Sequence, residues 1–290
     1  GGNGPIMANA LIASGMRVAY IGALGTPVVH PVFAEMATRA RTFSLCEAAH
    51  TTAVECTDGK LMLGIMRSLD EVTYERICTV MGEEAFHAEV AAAGLVSFVN
   101  WTMIPNITAI FNAVVERVLP KLPPVAGRIF FFDLADPEKR SADDLRDALT
   151  AIGRFEPFGR VVFGLNLKEA QQVATALGIA PPTVEETTLR TAAAAIRAKL
   201  GVNTVVIHPR ESAACATAAG TAWVPGPYTA EPLITTGAGD HFNAGFTTGQ
   251  LLNLDPEACL TMGVCTSGHY VRTGESPSLD KIESFLANWR

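Results

Sequence analysis

The chain has 290 residues, 49 % of them apolar and 18 % charged, and a net charge of −7. That size and composition allow a sizeable core and argue against disorder, and the acidic balance excludes a binder of nucleic-acid backbone, whose affinity comes from clustered Lys and Arg. No apolar run reaches the ~18 residues a membrane helix needs, and the basic-then-apolar layout of a signal peptide is absent from the opening residues. We therefore expect neither a nucleic-acid nor a membrane partner. The six cysteines (Cys46, Cys56, Cys78, Cys215, Cys259 and Cys265) form no C-x-x-C pair and read as reduced, mostly buried thiols of a cytoplasmic protein.

In chain order, Pro5 suits the first turn of a helix that stops at Gly15. Val18–Ile21 reads as a short buried strand, and a helix covers about 30–41. Strands are expected at Thr42–Glu47, Thr51–Cys56 and Leu61–Met66, with Asp58-Gly59 as a hairpin turn. The region from about 42 to 66 thus reads as a small β flap. Helical patterns follow near 70–80 and 83–93. From there strand and helix alternate: Leu95–Val99, then a helix at Ile107–Val118; Arg128–Phe132, then Ala142–Ile152; Arg160–Leu165, then Lys168–Leu177. A helix at 186–199 leads to the strand Val202–Ile207. Ala213–Ala218 and Thr221–Val224 suggest a hairpin, and helices near 238–252, 256–271 and 279–289 close the chain. Strands that are apolar throughout and alternate with helices predict a mostly parallel sheet covered on both faces, within a single α/β domain.

Three segments carry candidate chemistry. Thr235-Thr236-Gly237-Ala238-Gly239-Asp240 precedes an amphipathic helix. Small residues there leave backbone N–H groups open to an anion, and Asp240 in the first turn is placed to take a proton from an attacking hydroxyl. A plain tight turn with a helix-start Asp explains the same residues. Asn166-Leu167-Lys168-Glu169 follows an apolar strand, where ligands of open α/β sheets bind. Its Asn and Glu share one helix face and suit a hydrated Mg²⁺; ordinary capping with a solvated Glu169 is the alternative. Gly1-Gly2-Asn3-Gly4 ahead of a helix lets backbone approach a polar substrate, but it is not the G-x-G-x-x-G of a dinucleotide site.

These segments, in this order, resemble the ribokinase-like (PfkB-type) carbohydrate kinases. The matching stretches are Gly1-Gly2-Asn3, Asn166-Leu167-Lys168-Glu169 and Thr235-Thr236-Gly237-Ala238-Gly239-Asp240-His241-Phe242. Phe131 to Arg140 resembles the family's central strand and its following loop. The resemblance covers essentially the whole chain. It implies a three-layer α/β/α fold with a β lid, and ATP-dependent phosphorylation of a hydroxyl on a sugar or related small molecule. Carried over residue by residue, it implies Asp240 as general base and Gly237, Ala238 and Gly239 as an anion hole, with Asn166 and Glu169 on the Mg²⁺ and phosphate side. Thr236 joins the nucleotide side, and Gly1, Gly2 and Asn3 border the sugar. Cys265, Gly268 and His269 fall in the region that lines the adenine. The flap at about 42–66 becomes the lid, which excludes water on closing and offers a surface for a homodimer.

The departures are specific. Ile234 stands where the family usually has an Asp that helps bind a monovalent cation, so K⁺ activation is not implied. The strand Val202–Ile207 ends in His208-Pro209-Arg210 instead of T-x-G, so His208 and Arg210 are candidates for the nucleotide phosphates. The family's first strand lies upstream of its Gly-Gly segment, and residues preceding Gly1 are accordingly expected in the natural protein. Trp101 is a candidate wall of the sugar site, with a core aromatic as the alternative. His241 either reaches phosphate or is a partly exposed helix-start residue. Asp133 and Asp136 follow a strand and are placed to reach the site, with Lys139 and Arg140 either solvated or facing phosphate. Competing functions are a nucleoside kinase, a catalytically weakened regulatory protein on the same fold, and a nicotinamide dehydrogenase, the last disfavoured by the missing fingerprint.

Overall fold

The computed structural model describes residues 2–56 and 59–289. Gly1, expected to border the sugar, and Asp58, expected in the hairpin turn, lie outside the described residues. Helix α1 (Asn3–Ala13) has Pro5 in its first turn, where a missing N–H costs little, and buries Met7, Ala8, Ala10 and Leu11. Strand β1 (Ala19–Gly22), helix α2 (Ala34–Arg39) and strand β2 (Arg41–Ser44) follow. Strands β3 (His50–Cys56) and β4 (Gly59–Ile65) form an antiparallel hairpin.

The flap is smaller than the sequence suggests. The strand expected at Thr42–Glu47 does not join the hairpin. It is β2, and it pairs in parallel with β1, Ala19 opposite Arg41, in a separate two-stranded sheet. The intervening α2 supplies the crossover that a parallel pair requires. On the hairpin, residues directly opposite share a face. One face therefore carries Val54, Leu61, Leu63 and Ile65, all exposed.

Helices α3 (Tyr74–Met81) and α4 (Glu83–Ala92) lead into the main sheet. Its elements are β5 (Leu95–Phe98), α5 (Ile107–Ala113, continued by a π-helical turn Val114–Val118), β6 (Ile129–Asp133), α6 (Ala142–Gly153), β7 (Arg160–Leu165) and α7 (Leu167–Ala176). Then come α8 (Glu186–Leu200), β8 (Thr204–Ile207), β9 (Ser212–Thr217), β10 (Gly220–Pro225), α9 (Ala238–Leu251), α10 (Pro256–Thr273) and α11 (Leu279–Trp289). The strand order is β10-β9-β8-β7-β6-β5. Strands β5 to β8 are parallel, and β9 and β10 add an antiparallel edge.

Strand β6 shows why the sheet is covered twice. Neighbouring side chains on a strand point to opposite faces. Phe130 and Phe132 enter a core with Phe111, Leu149, Val173 and Ile196 of α5 to α8. Ile129 and Phe131 enter a second core with Met7, Phe242, Phe246 and Leu260 of α1, α9 and α10. The result is three layers, α/β/α, as expected. Among the described residues no helix is long and apolar enough to cross a membrane, and none of the six cysteines is in a disulfide.

Candidate active site

Because β6, β7 and β8 run parallel, their carboxyl ends share one edge of the sheet. That edge brings Asp133, Asn166 and His208 together, the last anchored by its amide to the Leu165 carbonyl at 2.9 Å. The starts of α7 and α9 face the same edge. Asn3, in the first turn of α1, donates from Nδ2 to Oδ1 of Asp240 at 3.1 Å. Oδ2 of Asp240 has no hydrogen-bond partner among the described residues.

The start of α9 is built from small residues for a steric reason. Gly237, the N-cap, has φ +91°, and a Cβ there would lie 3.0 Å from Ile6 and 3.3 Å from the Tyr270 hydroxyl. Only glycine fits both the backbone and the space. A Cβ on Gly239 would meet His208 at 3.4 Å. Of the amides expected to bind an anion, that of Ala238 donates to the Thr235 carbonyl at 3.2 Å. Those of Gly237, Gly239 and Asp240 donate to no group among the described residues. The open set thus differs from the expected one at one residue: Ala238 is already partnered, and Asp240 supplies its own amide in its place.

Three buried carboxyls lie close enough to raise one another. Asp240 is 5 % exposed. Burial, opposed by the Asn3 hydrogen bond and reinforced by Glu169, pushes its carboxyl up to about 7. Asp133 is also raised, by burial and then by Asp240, against the Asn243 hydrogen bond, in which Nδ2 of Asn243 donates to Oδ2 of Asp133 at 2.7 Å. Glu169 is raised by burial and then by Asp133. Oδ1 of Asp133 and Oδ1 of Asn243 are buried without a partner. Asn243 was not among the sequence candidates. Its position three residues beyond Asp240, on the same face of an apolar helix, was the available signal.

The Asn166–Glu169 pair forms a capping box. Oδ1 of Asn166 accepts from the Glu169 amide at 3.0 Å, and Oε2 of Glu169 accepts from the Asn166 amide at 2.8 Å. Oε1 of Glu169 accepts from the Asp136 amide at 3.0 Å. Capping is therefore present, but a solvated Glu169 is not: the residue is 3 % exposed.

Other candidates fall elsewhere. Trp101 is fully buried, donates from its indole nitrogen to Thr108 at 2.9 Å and carries the Arg140 guanidinium 4.6 Å from its ring centre. It is a core aromatic, and Arg140 is stacked on it. Arg210 is exposed and makes no hydrogen bond or ion pair among the described residues, whereas His208 stacks on Phe242 at 4.4 Å, and burial holds its ring neutral, down to about 4. Cys265, expected in the region that lines the adenine, is fully buried in the second core. Gly268 is buried under Pro227, where an added Cβ would collide at 2.3 Å. His269 is half-buried and meets Phe285 edge-on. Thr236 is exposed beside the amides, and its carbonyl accepts from the Tyr270 hydroxyl at 2.9 Å. His241 is neither phosphate-facing nor exposed, being 1 % accessible and bonded through both ring nitrogens. Lys168 and Lys139 both pair with Asp136 at the rim. Two cavities of about 300 and 310 Å³, beside Arg117 and between Trp223 and Trp289, lie away from these residues.

Comparison with known proteins places the chain in a family. The chain is 31 % identical to a ketohexokinase of Haloferax volcanii over all of its own length and 75 % of that protein. Among solved structures it resembles an Arabidopsis thaliana ribokinase complexed with ribose and ATP (TM-score 0.74, 18 % identity, 99 % of this chain and 87 % of that one). It also resembles a Cryptococcus neoformans ribokinase in complex with ADP (TM-score 0.68, 17 % identity, 98 % and 87 %). At those identities the structures establish the ribokinase-like fold. A family model described as prokaryotic ketohexokinase matches residues 1–289, and the chain belongs to that family of carbohydrate kinases.

Proposed function

We propose that this kinase transfers the terminal phosphoryl group of ATP to a hydroxyl of a ketohexose. The substrate class follows the name of the family and of its relative, and ATP follows the nucleotides bound by its structural neighbours. The mechanism rests on one observation: a buried carboxyl, held by Asn3 at one oxygen, sits in the first turn of a helix whose neighbouring amides are open. Oδ2 of Asp240 takes the proton of the attacking hydroxyl as its oxygen bonds to phosphorus and the bond to ADP breaks. The amides of Gly237, Gly239 and Asp240 stabilise the charge carried by the transferring group. A carboxyl raised to about 7 matches this task near neutral pH.

Mg²⁺ is implied by the fold family. Both oxygens of Glu169 already accept backbone N–H groups, and among the described residues no cluster of three metal-binding side chains exists. Direct ligation by the pair fits poorly, but a hydrated ion held through its waters fits, since Mg²⁺ usually keeps several. Such an ion would neutralise phosphate charge. Asn166 and Glu169 would orient its water shell, beside the unpartnered Oδ1 of Asp133. His208 lines the phosphate side and Asn3 the sugar side. The β3–β4 hairpin covers the sugar, and its apolar face pairs with a second copy of this chain in the cytoplasm.

The test is an ADP-release assay on protein with ketohexoses, aldohexoses and nucleosides. Turnover on ketohexoses with Asp240→Asn at least about a thousandfold slower is expected. Near-normal turnover in Asp240→Asn sinks the mechanism, and preference for an aldohexose or nucleoside sinks the substrate class.

A further inference from the structure

The amides at the start of α9 can stabilise a phosphoryl group only if their peptide planes are turned towards it. A peptide N–H and its C=O point in opposite directions, so fixing a carbonyl fixes the amide behind it. Two consecutive carbonyls here are held by side chains, one from 34 positions away and one from the next turn of α9. The Tyr270 hydroxyl donates to the Thr236 carbonyl at 2.9 Å, which aims the Gly237 amide the other way. Nδ1 of His241 lies 2.8 Å from the Gly237 carbonyl, and Nε2 lies 2.8 Å from the Ser276 hydroxyl. A carbonyl can only accept, so Nδ1 carries the ring proton and Nε2 accepts from Ser276. Burial keeps this ring neutral, down to about 4. The His241 and Tyr270 rings stack at 3.6 Å and 11°, so each holds the other.

We infer that Tyr270 orients the Gly237 amide for phosphoryl transfer and that His241, fixed by Ser276 and by the Gly237 carbonyl, clamps the Tyr270 ring in place; the peptide turned by the Gly237 carbonyl carries the Ala238 amide, which is not in the open row. Both are positioning residues, and neither touches the reacting atoms. The inference rests on the proposed role of the amide row.

The variants are chosen to separate positioning from folding. Tyr270→Phe removes one hydroxyl and keeps the stack. His241→Phe keeps a ring against Tyr270 and removes both nitrogen hydrogen bonds. His241→Asn restores a donor near the Nδ1 position. Each Phe variant is expected to lower kcat about ten- to hundredfold, with KM for ATP and ketohexose within about twofold and Tm near that of the parent. His241→Asn should recover part of the loss. Affinity for ADP alone should hold, while affinity for ADP with aluminium fluoride, a mimic of the transferring group, should fall with kcat. An unchanged kcat in Tyr270→Phe overturns the clamp, as does a fall in kcat that only tracks lost folded protein. Asp240→Asn measured alongside separates the two failures. If it retains turnover, the transfer site itself is misassigned. If it is inactive while both Phe variants run at full speed, the clamp alone is wrong.

Discussion

At the scale of single residues, the carboxyl of Asp240 decides how activity and stability respond to pH. Its folded value of about 7 lies well above the 3.8 of an exposed aspartate. As the proposed base it must be ionised, so kcat/KM should rise with pH and level off above about 7. Stability runs the other way. A carboxyl raised on folding favours the native state fully below about 4, and that contribution is lost as pH climbs through about 7. Its size is on the order of a few kcal/mol. Asp133 reinforces the effect, since Asp240 raises it and the two cannot both ionise cheaply. Asp133→Asn should therefore raise the unliganded Tm at pH 8, whereas Glu169→Gln, which removes the carboxyl that raises Asp240, should move the acid limb of kcat/KM to lower pH. The amide of Asp133→Asn also finds ready partners, because Oδ1 of Asn243 is buried without a donor. A pH–rate profile and a melting series from pH 5 to 8 check both. An acid limb unmoved in Glu169→Gln would show that Glu169 does not act on Asp240.

At the scale of elements, helix α7 shows how much local sequence can say. Asn166-x-x-Glu169 is a spacing that one turn of helix explains, and the capping box is there. What that spacing does not carry is the burial of Glu169. This depends on Asp136, whose left-handed turn at φ 65° aims an amide at Oε1 from 33 positions away. The same limit applies to α9. The glycines and Asp240 were legible because a helix start has a local grammar. His241 was not, because its partners Tyr270 and Ser276 arrive from α10 and the loop beyond it. Trp101 fell to the core because Thr108 and Arg140 satisfy it there. The two roles of the capping box separate in Asn166→Ala. Loss of the cap costs about 1 kcal/mol, which is a fall of a few degrees in Tm. If Asn166 also faces phosphate, kcat should drop by more than tenfold at a temperature where the variant is fully folded. Unchanged kcat there would leave Asn166 a cap alone.

At the scale of the whole molecule, the three layers were legible because β6, β7 and β8 are apolar on both faces, and only cover from two sides satisfies such strands. The division of the flap was not. Four-residue strands such as β1 and β2 carry too little alternation to reveal their partners, and a parallel pairing closed by a short helix looks locally like a hairpin arm. The hairpin that remains is two strands wide, too small to be stable unsupported. Yet Leu61, at 59 % exposure, Leu63 and Ile65 stand in the open on one face. A second copy presenting the same face would bury them symmetrically. Leu61→Glu with Leu63→Glu should then weaken self-association. Burying one leucine contributes about 1.5–3 kcal/mol, so the pair, lost twice across a two-fold interface, should raise the dimer Kd by more than a hundredfold. Sedimentation velocity over a dilution series reads this directly. The parent should sediment as a dimer and the double variant as a monomer with its core, and hence its Tm at high concentration of sugar and nucleotide, little altered. A parent that is monomeric at all concentrations would reassign this face to the sugar cleft, where the same two substitutions should instead raise the KM for sugar.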